Sequence, residues 1–140
     1  MDYLIVALRL VLAVFFAGMI GFEREKHKAI IKGTAGLRTH MLVALGSALL
    51  TILSFYFFEM YGAIADPGRI VSYIILGIGF LGAGTIMSYK DRVVGLTTAA
   101  SIWFVAALGI CIAMGLYVIA IVSTAIAVIV LELWRFEKDK

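Results

Sequence analysis

The apolar residues of this chain form long runs that are separated by short polar segments. The first three runs cover about 4–22, 37–58 and 70–87. A helix needs about 20 mostly apolar residues to cross about 30 Å of hydrocarbon, so each of these runs predicts one membrane span. Between the first two spans lies a polar segment that is rich in lysine and arginine. The pattern therefore predicts an all-α membrane protein.

The fourth apolar run is too long for a single span. Residues 93–131 contain no charged residue, and one helix of that length would extend about 58 Å. We predict two spans with a break around 109–116, where glycines weaken a helix and Tyr117 suits an interface. The fifth span then ends near Trp134.

The distribution of basic residues predicts the orientation of these five helices. With the amino terminus outside and the carboxyl terminus in the cytoplasm, only Arg9 and Arg69 of the twelve basic residues lie on the outer side. Four spans would instead place the basic tail after Trp134 outside. Because cytoplasmic loops of membrane proteins carry an excess of lysine and arginine, five transmembrane helices are favoured.

The composition supports a single membrane domain over residues 1–140. The chain is 64% hydrophobic and 15% charged, whereas soluble domains are about 45–50% apolar and about 25% charged. The net charge of +3 comes from basic residues that adjoin apolar runs. This arrangement favours contact with the lipid bilayer over nucleic acid. Cys111 is the single cysteine and has no partner for an intrachain disulfide.

Arg9 is the one charged residue within the first apolar run. Two interpretations remain open, since its side chain can extend to the nearer membrane surface or can face a neighbouring helix. Arg9, Ala13, Ala17 and Gly21 recur every four residues. Such a stripe of small residues lets two helices approach closely, which would place Arg9 against another helix.

The third run contains four closely spaced glycines. Residues 77–84 formally match a dinucleotide-binding pattern, but that pattern has its meaning only between a strand and a helix. Within an apolar span, glycines permit close backbone approach. We therefore predict a helix-packing or homodimer face formed by Gly77, Gly79, Gly82 and Gly84.

Polar residues gather where the first, second and fourth spans meet the inner surface. Glu23 and Arg38 each adjoin an apolar run, and we predict that Arg38 is compensated either by Glu23, in a partly desolvated ion pair, or by a bound anion. Trp103 lies about two turns into the fourth span, which predicts an interior position for its indole. The candidate functional cluster comprises Arg9, Glu23, Arg24, Arg38, Thr39, Thr97, Thr98 and Trp103.

The sequence offers little for catalysis or metal binding. His27 and His40 do not have metal-ligand spacing, and His40 is expected at the membrane interface. No motif of a nucleophilic or metal-dependent enzyme is present, so no enzyme activity and no cofactor are predicted. The acidic residues all lie in loops or at the ends of spans, which disfavours a cation carrier that uses carboxylates within the membrane.

The chain contains five ordered segments with compatible spacing: Arg9-x-x-x-Ala13, Gly21-x-Glu23-Arg24-Glu25, Ala35-Gly36-Leu37-Arg38-Thr39, Gly77-x-Gly79-Phe80-Leu81-Gly82-Ala83-Gly84 and Gly95-Leu96-Thr97-Thr98-Ala99-Ala100-x-x-Trp103. Together they resemble the signature of the MgtC/SapB family of bacterial inner-membrane proteins. The resemblance implies a five-span, multi-pass protein linked to low-magnesium adaptation and survival inside host cells, which acts by regulating other membrane systems.

Longer members of that family carry a cytoplasmic carboxy-terminal domain, and this chain resembles the short, SapB-like form or a truncated one. We expect a non-enzymatic regulator, a homodimer, whose polar cluster contacts another membrane protein or senses an ion. The alternative is a small ion transporter or channel in which the same cluster lines a path.

Overall fold

The computed structural model describes residues 2–28, 35–64, 66–89 and 92–133. Within these ranges the chain forms five α-helices, one 3-10 turn at Gly62–Ile64 and two short strands. The strands are β1 (Met87–Tyr89) and β2 (Arg92–Val94), and the helices are α1 (Tyr3–Lys28), α2 (Leu37–Tyr61), α3 (Pro67–Ala83), α4 (Leu96–Ala113) and α5 (Tyr117–Glu132).

The predicted break in the fourth apolar run is confirmed. Helix α4 ends at Ala113, and α5 begins at Tyr117. Between them Gly115 has a φ of +80°, a left-handed conformation that glycine adopts without the steric penalty of a side chain. The chain therefore reverses within three residues.

The segment after α3 differs from the prediction. The third span was expected to reach Met87, but α3 ends at Ala83. Met87 instead begins an antiparallel hairpin in which it pairs with Val94, so the fold contains a small β-element and is not purely helical. Gly95 follows the hairpin with a φ of +93°, and the Thr85 carbonyl leaves no room there for a side chain.

Three helices are long and apolar enough to cross a membrane, namely Tyr3–Lys26, Leu37–Tyr61 and Leu96–Ala113. Helices α3 and α5 have 17 and 16 residues, which corresponds to about 24–26 Å at 1.5 Å per residue. The length and apolar composition of these helices thus indicate a membrane protein. The number of five spans and their orientation remain predictions.

Small residues form the centre of the bundle. Helix α2 packs against α1, α3 and α4, and α5 packs against α1 and α4. The predicted stripe on α1 is buried, since Ala13 and Ala17 have no exposed surface. A Cβ atom at Gly21 would lie 2.9 Å from the Leu37 Cα atom. This close approach of α1 to α2 requires glycine.

Several predicted features lie outside the described part of the chain. They are residues 29–34 of the basic segment, the side chain of His27, and the end of the fifth span near Trp134 with the basic tail that follows it.

Candidate functional site

Five polar side chains are buried together at one end of the bundle. At this end, which we call the hairpin end, α1 finishes at Lys28, α2 starts at Leu37 and α4 starts at Leu96. Each residue in this set has at most 9% of its surface exposed. We call the set the buried polar cluster, and it comprises Glu23, Arg24, His40, Thr98 and Ser101.

Arg24 connects α1 with α4. Its Nη2 donates a hydrogen bond to Thr98 Oγ1 at 3.4 Å, and its Nη1 lies 4.0 Å from Glu23 Oε2. Its Nε is buried and has no hydrogen-bond partner among the described residues. A guanidinium group has five N–H donors, so these two long contacts leave much of its donor capacity unused.

His40 connects α2 with α4. Its Nδ1 lies 2.8 Å from the Gly36 carbonyl oxygen, and its Nε2 lies 2.9 Å from Ser101 Oγ. Because a carbonyl oxygen only accepts, Nδ1 carries a proton in this arrangement. The Ser101 hydroxyl is also 2.9 Å from the Thr98 carbonyl oxygen, so it can donate either to that oxygen or to His40. The side chain of His40 is fully buried within the bundle, in the first turn of α2, and its position at the membrane interface stays a prediction.

The end of α1 caps the start of α2. Glu25 Oε2 accepts a hydrogen bond of 2.9 Å from the Leu37 backbone amide. The carboxylate occupies the place that a Cβ atom of Gly36 would take, which explains why glycine precedes the helix. A negative charge is favourable at a helix amino terminus, where backbone amides lack partners within the helix. This contact joins the Gly21-x-Glu23-Arg24-Glu25 segment to the one that begins at Ala35.

The predicted ion pair between Glu23 and Arg38 is not formed. Arg38 and its neighbour Thr39 are exposed in the first turn of α2, while Glu23 lies beside Arg24. The reason is helical phase, because His40 faces α4 and residues one or two positions earlier point elsewhere on the helix. Arg38 and Thr39 therefore lie at the hairpin end but outside the buried polar cluster.

The predicted interior position of Trp103 is also wrong. Its side chain is 49% exposed and lines a groove of about 470 Å³ between α4 and α5. Its neighbours Ile102 and Val105 fill the core side of α4, which turns the indole toward the groove. Thr97 also lines this groove and is exposed, whereas Thr98 is buried against Arg24.

Arg9 lies far from the buried polar cluster, near the opposite end of α1. Its Nη1 donates to the Ala113 carbonyl oxygen at 2.7 Å, and its Nε lies 3.3 Å from the Tyr117 hydroxyl oxygen. Of the two interpretations that the sequence left open, the structure shows contact with a neighbouring helix. The guanidinium satisfies carbonyl groups where α4 ends, and a cation is favourable there.

The four glycines of the third run occupy different environments. A Cβ atom at Gly82 would lie 3.6 Å from Ala99 of α4, whereas Gly77 and Gly79 have no other atoms within 4 Å of that position. Gly84 lies beside carbonyl groups of its own helix. Of these four glycines, only Gly82 therefore packs against another described helix. Gly77 and Gly79 lie on nearly opposite sides of α3, because residues two apart on a helix do not share a face.

A cavity of about 300 Å³ adjoins the buried polar cluster at the start of α4. Arg24 lines it from α1, and residues 93–98 line the remainder. Among the described residues, no group of three or more His, Cys, Asp or Glu side chains could hold a metal ion. The residues that line this cavity are instead Arg24, two threonines, three apolar residues and the glycine N-cap of α4.

The candidate cluster predicted from the sequence did not include His40, Ser101 or Glu25. Glu25 and His40 stand within or beside the segments that carried the family resemblance. Their partners are the Leu37 amide and a serine 61 residues away. The spacing of four residues between Gly36 and His40 was the one local indication of the His40 contact with the Gly36 carbonyl oxygen, because it allows a histidine on a helix to contact the preceding turn.

Comparison with known proteins places these observations in a family context. The sequence pattern of the MgtC family matches residues 10–139. Over 132 residues the chain is 43% identical to YhiD of Escherichia coli K12, which is named as a candidate magnesium transporter. It is 40% identical over 124 residues to MgtC of Brucella abortus and 37% identical over 141 residues to SrpB of Synechococcus elongatus.

The alignments cover unequal shares of the two proteins. They include 91%, 88% and 94% of this chain, but 60%, 48% and 75% of YhiD, MgtC and SrpB respectively. The chain thus spans about half to three quarters of the length of these relatives. No solved structure matches the chain significantly.

Proposed function

Since the chain belongs to the MgtC family, we propose that it is a regulatory protein of the bacterial inner membrane that serves magnesium homeostasis. It acts without catalysis and changes the activity of another membrane protein. The name of the Escherichia coli relative supports the connection with magnesium. The buried polar cluster supports a regulatory action.

The observation that carries this proposal is the way the cluster joins three helices. Arg24 links α1 to α4, and His40 links α2 to α4 through Ser101. Buried charges in an apolar bundle are costly, so their retention favours a specific role. A change in these contacts would alter the packing of three helices at once. That change is the signal that we propose a partner receives.

The surface beside the cluster suits such a partner. Arg38 and Thr39 are exposed at the same end of the bundle, where they can contact another membrane protein. Gly79 leaves open space on α3, and we propose that a second copy of this chain packs there. Glycine permits the close helix approach that such a homodimer needs.

Complementation of a deletion strain tests the regulatory role. Growth at low magnesium is compared for the wild-type chain, Arg24→Gln and Ser101→Ala, with the exposed Arg69→Gln as the matched control. We expect the two cluster variants to reduce growth at low magnesium while membrane protein levels stay equal and the control grows normally. Full growth of Arg24→Gln would remove the proposed role of the cluster.

Cysteine cross-linking tests the homodimer. In a Cys111→Ser background, Gly79→Cys is compared with Val11→Cys, which replaces an exposed residue on α1. We expect disulfide-linked dimers of Gly79→Cys in native membranes and few dimers of the control. Equal cross-linking of both variants would show random collision instead.

A small ion transporter is the second candidate, and the name of the Escherichia coli relative favours it. Magnesium flux into liposomes that contain the purified chain distinguishes the two functions. Saturable flux that Arg24→Gln abolishes would establish transport and replace the regulatory proposal. Flux equal to that of protein-free liposomes, from protein shown to be folded, would support regulation.

A further inference from the structure

We propose that Arg24 and the first turn of α4 form a binding site for a small oxyanion, such as a phosphate group. The phosphate could be free in solution or belong to a lipid headgroup. This inference rests on the proposed function and deepens it, because it names a ligand class for the buried polar cluster. The site takes its groups from both α1 and α4.

The first observation is the unsatisfied amino terminus of α4. This helix has 18 residues, and its N-cap is Gly95, which supplies no side-chain hydrogen bond. Ala99 is the first residue whose amide bonds back, to the Gly95 carbonyl oxygen at 2.9 Å. The amides of residues 96–98 have no backbone partner in the described part of the chain. Such amides and the helix dipole together attract anions.

The second observation is independent and concerns Arg24 on a different helix. Its side chain is 10% exposed, and it lines the same cavity as residues 93–98. The Nε atom has no hydrogen-bond partner among the described residues, while the contact with Thr98 is long at 3.4 Å. A buried donor without an acceptor is unfavourable. The Nε atom has almost no accessible surface, so an oxyanion in the cavity would accept from the two Nη groups, whose donors the long contacts with Thr98 and Glu23 leave partly unused.

The cavity between these groups fits the proposed ligand in size and chemistry. Its volume of about 300 Å³ accommodates a phosphate group with several waters, each of which takes about 30 Å³. Thr97 and Thr98 are among the lining residues, together with the apolar Val93, Val94 and Leu96. Glu23 opposes an anion, because its carboxylate lies 4.0 Å from Arg24. The ligand must therefore gain enough from the guanidinium and the amides together to outweigh that repulsion.

Direct binding measurements on the purified full chain test the site. In detergent, inorganic phosphate and sulfate are titrated while the thermal unfolding temperature is followed. In nanodiscs, the thermal unfolding temperature of the chain in phosphatidylcholine alone is compared with its value in phosphatidylcholine that contains the anionic phosphatidylglycerol. A response to phosphate in detergent identifies a soluble anion, whereas a response only to phosphatidylglycerol identifies a lipid headgroup. Either response supports the site, and the absence of any saturable response overturns it.

Two variants separate specific binding from general attraction by positive charge. Arg24→Gln is expected to weaken binding about tenfold or more, since hydrogen bonds to charged groups are strong. Arg38→Gln removes an exposed arginine at the same end of the bundle and should leave binding within about twofold, because exposed charges interact weakly through water. Equal weakening by both variants would overturn the proposal.

A third variant decides the question if Arg24→Gln fails to fold. Thr97→Asp places a carboxylate at an exposed position in the first turn of α4, where a negative charge stabilises a helix. This variant should fold and should weaken oxyanion binding about tenfold through repulsion. Unchanged binding by Thr97→Asp would contradict the site.

The binding experiment tests the oxyanion site, and the growth experiment tests the proposed function, so either proposal can be wrong while the other holds. Oxyanion binding together with normal growth of Arg24→Gln at low magnesium would remove the proposed function but keep the site. A growth defect of Arg24→Gln in a chain that binds no oxyanion would remove the site but keep the proposed function.

Discussion

Arg9 on α1 donates a hydrogen bond of 2.7 Å from Nη1 to the backbone carbonyl oxygen of Ala113, the last residue of α4. The same guanidinium lies beside Gly115, where its Nη2 is 3.1 Å from the position of a Cβ atom. The last carbonyl groups of a helix lack partners within it and carry a partial negative charge. A charged residue in an apolar helix is therefore stabilised by the end of a neighbouring helix.

Loss of this contact should destabilise the bundle. We expect Arg9→Ala to lower the free energy of unfolding by about 1–3 kcal/mol, because a charged hydrogen bond is removed and a carbonyl group loses its partner. Tyr117→Phe removes only the weaker contact and should cost about 0.5–1.5 kcal/mol. Both values can be measured by SDS titration in mixed micelles. Arg69→Ala, at an exposed arginine, is the control, and an equal loss from it would contradict the capping role.

The cap that Glu25 provides for α2 gives a second prediction. Glu25→Ala should reduce the free energy of unfolding by about 0.5–2 kcal/mol, as for other helix caps. Glu25→Gln keeps an acceptor for the Leu37 amide but loses the charge, so its effect should be about 0.3–1 kcal/mol. The same SDS titration measures both, with the exposed Glu59→Ala expected to stay within about 0.5 kcal/mol of wild type. An indistinguishable effect of Glu25→Ala and Glu59→Ala would show that the cap contributes nothing.

The features that depend on the length and residue spacing of one helix were predictable from the sequence. Residues 93–131 are too long for one span, and glycine weakens a helix, so the break before Tyr117 followed from length and residue type. The buried stripe of Ala13, Ala17 and Gly21 followed from a spacing of four residues. These features depend on one helix at a time, and a single sequence contains that information.

Features that depend on neighbouring helices were not predictable in the same way. Arg38 and His40 are two residues apart on α2. The orientation of α2 about its own axis relative to α4 decides which of the two is buried. Trp103 is deep along its helix, but depth does not determine whether a side chain faces the core or a groove. The hairpin around Met87 was missed because three-residue strands are too short to show alternation.

The crossing of α2 and α4 gives a third prediction. A Cβ atom at Gly109 would collide with the Ala44 carbonyl oxygen, while the same addition at Gly46 meets no atom within 4 Å. We expect Gly109→Ala to cost about 1–3 kcal/mol of unfolding free energy, because two backbones must separate. Gly46→Ala should be neutral or stabilising by up to about 1 kcal/mol, since alanine favours helix. Thermal unfolding in detergent ranks the two variants, and a stable Gly109→Ala would contradict the close crossing.

The contact between His40 and Ser101 gives the last prediction, which a double-mutant cycle can measure. Their side chains lie 2.9 Å apart and join α2 to α4. Residues in direct hydrogen-bond contact typically show coupling energies of about 0.5–3 kcal/mol, so we expect His40→Ala and Ser101→Ala to be non-additive by that amount.

The control cycle pairs His40→Ala with Ser123→Ala. The Ser123 hydroxyl donates to the Ala120 carbonyl oxygen of its own helix at 3.2 Å, so these two substitutions should add within about 0.5 kcal/mol. Unfolding free energies from SDS titration provide all values. If the two cycles gave equal coupling, the His40–Ser101 contact would not link α2 to α4 energetically. The buried polar cluster would then lose the physical connection on which a shared helix movement depends.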